Sequence, residues 1–216
     1  VERLQKVMAQ AGLGSRRACE TMIRQGRVRV NHQAANLGMR VDPLLDAIDV
    51  DGVRLESSEP LTYVMLNKPP EVLCSLRSQG GRSTVRDLVS SPLRLFPVGR
   101  LDADSEGLVL MTNDGAMAHR LTHPSFGHAK RYRVELDREP NATQLNRWRR
   151  GLTSEDGEAF GPADVKVVDP GKKGHWIEVT LTEGKKRQIR RTAQVLGLEV
   201  VRLVRGLHGD REIDQP

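Results

Sequence analysis

Every apolar run in this sequence is short, and that constrains the fold more than any other feature. Runs such as Gly107–Met111 are strand-sized, far below the roughly 20 residues that cross a bilayer. Twenty glycines and eleven prolines interrupt the rest, so only short elements can form. Beyond Leu61, strand-like patches fall at Thr62–Leu66, Leu108–Met111, Tyr132–Leu136, Val165–Val168 and Trp176–Leu181. They are mixed with short helical stretches, without the regular strand–helix alternation of a parallel sheet. The expected class is α+β, with the larger domain built on a mixed, largely antiparallel sheet.

The N-terminus follows a different rhythm. Leu4, Val7, Met8 and Ala11 recur at helical spacing, and Gly12 and Gly14 interrupt them. Ser15 is placed to cap a second helix whose apolar face is Ala18, Cys19, Met22 and Ile23. Gly26 ends that helix, and Arg27–Val30 alternates like a strand entering a turn at Asn31-His32. Ile48 and Val50, Asp51-Gly52, then Val53 and Leu55 read as a hairpin closing the module. Glu56–Pro60 has linker composition, which predicts domains over 1–58 and 61–216.

Charge follows the same division. The chain carries a net charge of +6. Residues 1–40 hold eight Lys/Arg against two Asp/Glu, whereas residues 41–60 hold one against six. A basic unit set off by an acidic stretch reads as a contact module for a polyanion. Cys19 and Cys74 match no metal or disulfide spacing and are expected to pack in a reducing cytoplasm. No charged start followed by an apolar stretch suggests a secretory leader.

Three later segments concentrate chemistry. Tyr63–Pro70 is a strand running into a proline-stiffened turn with Lys68 at its mouth. Val98–Gly115 carries a charged, glycine-flanked loop, Arg100-Leu101-Asp102-Ala103-Asp104, followed by an apolar strand and a turn at Asn113-Asp114-Gly115. Glu183–Arg191 holds five cations from Gly184 onward. Asp102-Ala103-Asp104 resembles an Asp-x-Asp phosphatase only superficially: such motifs end an apolar strand, and here the strand follows. Lys68 is expected at the surface, Trp148 and Trp176 in packing, and His119 and His123 in packing or capping.

Residues 2–55 resemble the small RNA-binding domain first known from a small-subunit ribosomal protein, with Arg3, Ser15, Arg16, Arg17, Arg27, Val30 and Asn31 at the expected places. His32 departs from the turn glycine usual there. The three later segments, in order, resemble the pseudouridine synthases that modify ribosomal RNA, in the branch with such an N-terminal module. Gly-Arg-Leu-Asp-x-x-Ser-x-Gly-Leu is the specific match, and Asn-Lys-Pro and Gly-x-x-x-Gln-Ile-Arg corroborate it.

That resemblance implies an enzyme turning a ribosomal RNA uridine into pseudouridine, with Asp102 as catalytic carboxylate and Tyr132 against the base. An arginine beside an aspartate lowers its pKa by about 1–3 and keeps it charged; the motif match gives this place to Arg190. Arg100, Lys185 and Lys186 are expected to contact RNA alongside the N-terminal residues, and the target base to flip out. No metal or other cofactor is implied, because uridine and pseudouridine are isomers. The expected partner is ribosomal RNA, with overall similarity leaning toward the large subunit, or a pre-ribosomal particle, with no membrane contact and a monomeric, cytoplasmic protein. The rival is a non-catalytic RNA-binding assembly factor with a degenerate synthase domain. Family members continue past Arg202–Arg205 with a further glycine- and leucine-bearing segment, whereas this chain runs through Gly206–Asp210 to Pro216. A truncated or divergent terminus is expected at that edge of the site.

Overall fold

The protein is described from a computed structural model covering residues 1–55, 59–168 and 174–206. The linker centre at 56–58 and the divergent segment from 207 onward lie outside the described residues. The chain forms two compact units.

The first unit comprises Val1–Tyr63 together with two later segments, Ser91–Phe96 and Thr112–Gly115. Its elements are β1 (Glu2–Arg3), α1 (Leu4–Gln10), α2 (Arg16–Arg24), β2 (Val28–Val30), β3 (Gln33–Ala34), β4 (Arg40–Val41), β5 (Ile48–Val50) and β6 (Val53–Arg54). Ser15 caps α2, its Oγ accepting from the Ala18 amide at 3.1 Å. The predicted apolar faces meet: Leu4, Val7, Met8, Cys19 and Ile23 share one core with Val28, Val30, Val41, Ile48 and Val50. Burying each such side chain fully contributes about 1.5–3 kcal/mol. Strands β3-β2-β5-β6 form a small antiparallel sheet. Asp51 (φ 52°) and Gly52 (φ 83°) make the turn between β5 and β6, as the Asp-Gly pair predicts. His32 sits at φ 68°, a conformation glycine adopts without the steric cost that a side chain meets.

The acidic stretch is not a spacer. Asp46 Oδ1 accepts from Asn31 Nδ2 at 2.8 Å, Asp51 pairs with Arg27, and Asp49 lies 3.7 Å from Arg54. The segment Thr112–Gly115 is stitched in by hydrogen bonds: Thr62 N donates to Asn113 Oδ1 (2.9 Å), Asn113 Nδ2 to the Pro60 carbonyl (2.9 Å) and Thr112 Oγ1 to the Thr62 carbonyl (2.7 Å).

The second unit is built on a mixed sheet. In chain order its elements are β7 (Tyr63–Lys68), β8 (Phe96–Pro97), β9 (Glu106–Thr112), α3 (Gly115–Thr122), a 3₁₀ turn at Pro124–Phe126 and β10 (Lys130–Leu136). There follow α4 (Ala142–Arg150), β11 (Leu152–Thr153), β12 (Ala159–Phe160), β13 (Asp164–Val167), β14 (His175–Leu181), α5 (Gln188–Val195) and β15 (Val200–Arg205). The strand order is β13-β14-β10-β15-β9-β7, with β8 on β9. Pairing is antiparallel from β13 to β15 and parallel between β15 and β9.

All five strand readings of the sequence find a strand, and the class expectation holds. Two details differ. The Asn113-Asp114-Gly115 step opens helix α3 rather than closing a tight turn. Strand β15, which the sequence left unassigned, occupies the centre of the sheet. Behind the sheet, Val134, Leu136, Leu145, Trp148, Ile177, Val179, Ile189 and Ala193 form the core. Trp148 is inside it, and Trp176 is only half-buried.

Candidate active site

One cleft of about 620 Å³ brings together Asp102, Tyr132, Arg100, Lys185 and Lys186 of the sequence-predicted residues, but not Arg190. Its walls include Cys74, Arg100, Asp102, Lys130, Tyr132, Lys185, Lys186, Arg187 and Arg205. Arg100 and Asp102 stand on the loop between β8 and β9, Lys130 and Tyr132 on β10, and the other cations on the turn before α5 and at the end of β15.

The aspartate loop is fixed from several sides. Gly107, just after it, takes φ 105°, and a Cβ there would lie 2.2 Å from the Arg205 carbonyl oxygen. Only glycine lets β9 run this close to β15. Across the same pair, Arg202 grips Glu106 with two bonds of 2.7 and 2.8 Å. The resulting fork pulls the Glu106 pKa below its ordinary value.

Lys68 corrects its sequence assignment. It is fully buried rather than at the surface, and its ammonium donates to the carbonyls of Pro69 (2.8 Å), Val72 (2.8 Å) and Ala103 (3.1 Å). Ala103 lies between the two loop aspartates, so this lysine pins the middle of the loop. Burial lowers its pKa, opposed by the neighbouring Cys74, Asp104, Glu106 and Glu71. A buried cation is tolerated here because three backbone dipoles replace its water.

The arginine arrangement also differs from the expectation. Arg190, expected beside Asp102, has its Nε 3.2 Å from Asp104 Oδ2. Its Nη1 donates to the Val200 carbonyl and its Nη2 to that of Asp104, each at 3.0 Å. The cation nearest Asp102 is Arg187, at 3.8 Å from Oδ2. Arg187 also donates to both Asp104 oxygens, at 3.3 and 2.8 Å. The reason is helical geometry: Arg187 precedes α5 in a left-handed conformation (φ 51°), which turns its side chain into the cleft, while Arg190 falls on the buried flank. Such a conformation costs of order 1–3 kcal/mol for a non-glycine residue. For Asp104, burial would raise the pKa, but the Arg187 bond and the charges of Arg190 and Arg187 outweigh it and hold the carboxyl below its ordinary value.

Tyr132 packs its ring against the core. Burial raises its hydroxyl pKa, a nearby Asp102 adds to this, and the charge and hydrogen bond of Arg205 oppose it; the net is a phenol that stays protonated at neutral pH. Arg205 is itself held by a 2.9 Å bond to the Leu108 carbonyl. The Lys130 pKa is lowered by burial first and by Arg205 second. Neither Lys130 nor Arg205 was singled out by sequence reasoning, although Lys130 stands two residues from Tyr132. Ser105 is also buried at the cleft, and its Oγ finds no hydrogen-bond partner among the described residues.

The basic run before α5 is mostly engaged. Lys185 donates to the Ala159 carbonyl. Arg191 grips Asp156 and Glu158 and lies over the Phe160 ring. Lys186 is exposed, lines the cleft and has no side-chain partner among the described residues, and the same is true of Arg100.

In the first unit, the candidate RNA contacts divide similarly. Ser15 is spent on its cap, Asn31 bridges to Asp46 and receives the Ala47 amide (2.9 Å), and Arg27 holds Asp51. Arg3, Arg16 and Arg17 are exposed, with guanidinium groups unpaired among the described residues. No group of three or more possible metal ligands forms among the described residues, and none of their helices is long and apolar enough to cross a membrane.

Comparison with known proteins places the chain in a family. The RNA pseudouridylate synthase family model matches residues 62–194 and the S4 domain model residues 2–43. The chain belongs to the RNA pseudouridylate synthase family, and is thus an isomerase that converts uridine to pseudouridine. An uncharacterized RNA pseudouridine synthase of Mycobacterium tuberculosis is 44% identical over 210 residues, covering 94% of this chain and 82% of the relative. Ribosomal large subunit pseudouridine synthase B of Bacillus subtilis is 38% identical over 221 residues, covering 96% and 89%. A crystal structure of a pseudouridylate synthase superposes with a TM-score of 0.68 at 30% identity, covering 99% of this chain and 91% of that one.

Proposed function

We propose that this enzyme isomerises a specific uridine of ribosomal RNA, of the large subunit, with Asp102 as its catalytic carboxylate. The observation that carries the reading is the cleft itself. A carboxylate with 37% of its side chain exposed stands there with a guanidinium 3.8 Å away and a protonated tyrosine on the same wall. Relatives named for the ribosomal large subunit support the choice of RNA.

In the reaction the N1–C1′ bond breaks, the base turns, and C5 joins C1′; C5 loses a proton and N1 gains one. Asp102 opens the sequence, whether by attack on the sugar or by removing a sugar proton, and both routes need the carboxylate positioned and charged. Arg187 supplies the opposing charge. Tyr132 offers a flat ring for the base and a hydroxyl able to relay a proton. Flipping the uridine out costs a few kcal/mol of unstacking, and the unpartnered Arg100 at the cleft is suited to fill the gap. Arg3, Arg16, Arg17 and Lys186 contribute phosphate contacts that position the RNA without reading its sequence.

Asp102→Asn is the direct test, because it removes the charge and keeps the shape. Turnover, measured by pseudouridine mapping of ribosomal RNA, should fall by on the order of 10⁴-fold or more, with the dissociation constant nearly unchanged. Substantial residual turnover in the variant would mean another group starts the reaction. A wild-type protein that binds ribosomal RNA and forms no pseudouridine would favour an assembly role instead.

A further inference from the structure

Between α3 and β10 the chain exposes an aromatic cluster that the chemistry above does not use. His119, His123, Phe126 and His128 are all exposed, Phe126 by 49%. Phe126 stacks on His128 with centroids 6.3 Å apart and planes inclined by 25°. His119 and His123 meet its ring edge-on at 6.3 and 6.2 Å and lie 4.8 Å from each other. Only seven residues of the chain are Phe, Trp or Tyr, so an exposed ring is not a surplus of aromatics spilling outward.

The cluster is held in shape. Pro124 begins the 3₁₀ turn, His123 Nδ1 accepts from the Ser125 amide at 3.3 Å, and Gly127 closes the turn at φ 61°. It also adjoins the cleft: Thr122, the last residue of α3, is part of the cleft wall, and its methyl carbon lies 3.7 Å from the Cβ position of Gly99. Charge fits a polyanion. From Gly115 to Val134 the sequence has no acidic residue and carries Arg120, Lys130, Arg131 and Arg133.

Rings presented to solvent in a stretch without acidic residues, on a turn at the rim of an RNA-modifying cleft, suit unpaired nucleobases. Every base has a π-face, and base–aromatic stacking is the common device for holding single strands. We infer that the Phe126–His128 pair is a stacking platform for an unpaired base of the RNA flanking the target uridine. The inference rests on the cleft being where RNA is modified.

The test uses the full chain and two short RNAs of one sequence, single-stranded and duplex, the former carrying 2-aminopurine. Wild type should quench 2-aminopurine on binding. Phe126→Leu, which keeps bulk but has no ring, should lose the quench and bind the single strand about five- to 100-fold more weakly. Phe126→Trp should keep both, and duplex affinity should be the same in all three proteins. Equal single-strand affinity and quench in Phe126→Leu and wild type would overturn the platform, as would equal weakening toward both RNAs. Pseudouridine formation is read separately, so wild type that stacks the base without turnover rejects the cleft reading and leaves the platform standing.

Discussion

Three arginines of the first unit and the cations around the start of α5 look alike in sequence and have opposite fates, whereas Arg27 and Arg54 of the first unit are paired with Asp51 and Asp49. Arg3, Arg16 and Arg17 point to solvent without partners among the described residues. In the later run, Lys185, Arg187, Arg190 and Arg191 are each bound to a carbonyl or carboxylate, and Lys186 alone of the five has no such partner among the described residues. Charge density in a sequence thus records two different uses of arginine. Free guanidinium groups gain affinity for a polyanion by releasing counterions. Engaged ones are fixed electrostatic scaffolding, and bidentate forks suit them to that task. What decides between the uses is whether carboxylates and carbonyls are brought alongside by distant parts of the chain.

The sharpest way to break this contrast compares neighbours within the later run. Arg187→Met should lower kcat by at least about 100-fold with a smaller change in RNA affinity, because it removes the charge facing Asp102 and one clamp on Asp104. Lys186→Met should instead raise KM in a salt-dependent manner and spare kcat. If single-turnover rates fall equally in the two variants, the division into scaffold and contact cations fails.

An intermediate effect is expected in the first unit. Replacing Arg16 and Arg17 together by Gln should reduce the slope of log K against log salt by roughly 1.5–2, with melting temperature held. Substitution is cleaner here than removing residues 1–58, which would orphan the segments at 91–96 and 112–115 that belong to the same unit. An unchanged slope would show that these arginines touch no phosphate.

Acid should produce the smallest effect, read at Asp104 of the second unit. Asp104 is depressed in the folded state, so its contribution is present above the ordinary aspartate pKa of about 3.9 and is lost as pH falls through the depressed value. With over a third of its side chain exposed, that contribution should be below about 1 kcal/mol. Melting curves of wild type and Asp104→Asn should therefore converge as pH drops from 5 toward 2. A gap that stays constant would show that the carboxyl's charge does not brace the loop.

How legible this was depended on sequence distance. Helical spacing in the first 25 residues, the Ser15 cap and the Asp51-Gly52 hairpin are local, and sequence pattern alone conveyed them. Asp102, Tyr132, Arg100, Lys185 and Lys186 of the cleft were also legible, through a motif rather than through physics, whereas Lys130 and Arg205 were not. What stayed hidden was long-range. Lys68 reads as a surface lysine until Ala103 supplies a third carbonyl. Arg190 and Arg187 are three residues apart, and only the left-handed backbone at the start of α5 decides which faces Asp102. Strand β15, with Arg202 and Arg205 among its valines, lacks a clean alternation because each arginine is taken up by β9, through Glu106 and the Leu108 carbonyl.

The close passage of Gly107 against Arg205 has a consequence for the order of events during synthesis. The aspartate loop is translated near the middle of the chain, yet the strand that abuts it and the arginines that clamp it come from residues 187–205. Contacts so distant in sequence form late, after local elements have already closed. The helices of the first unit can therefore meet RNA while the nascent chain still lacks a finished catalytic centre. Completion of the last strand finishes the site: a chain ending before Arg187 has its aspartate and the Lys68 clamp but lacks the arginines and the strand that hold the loop from the other side.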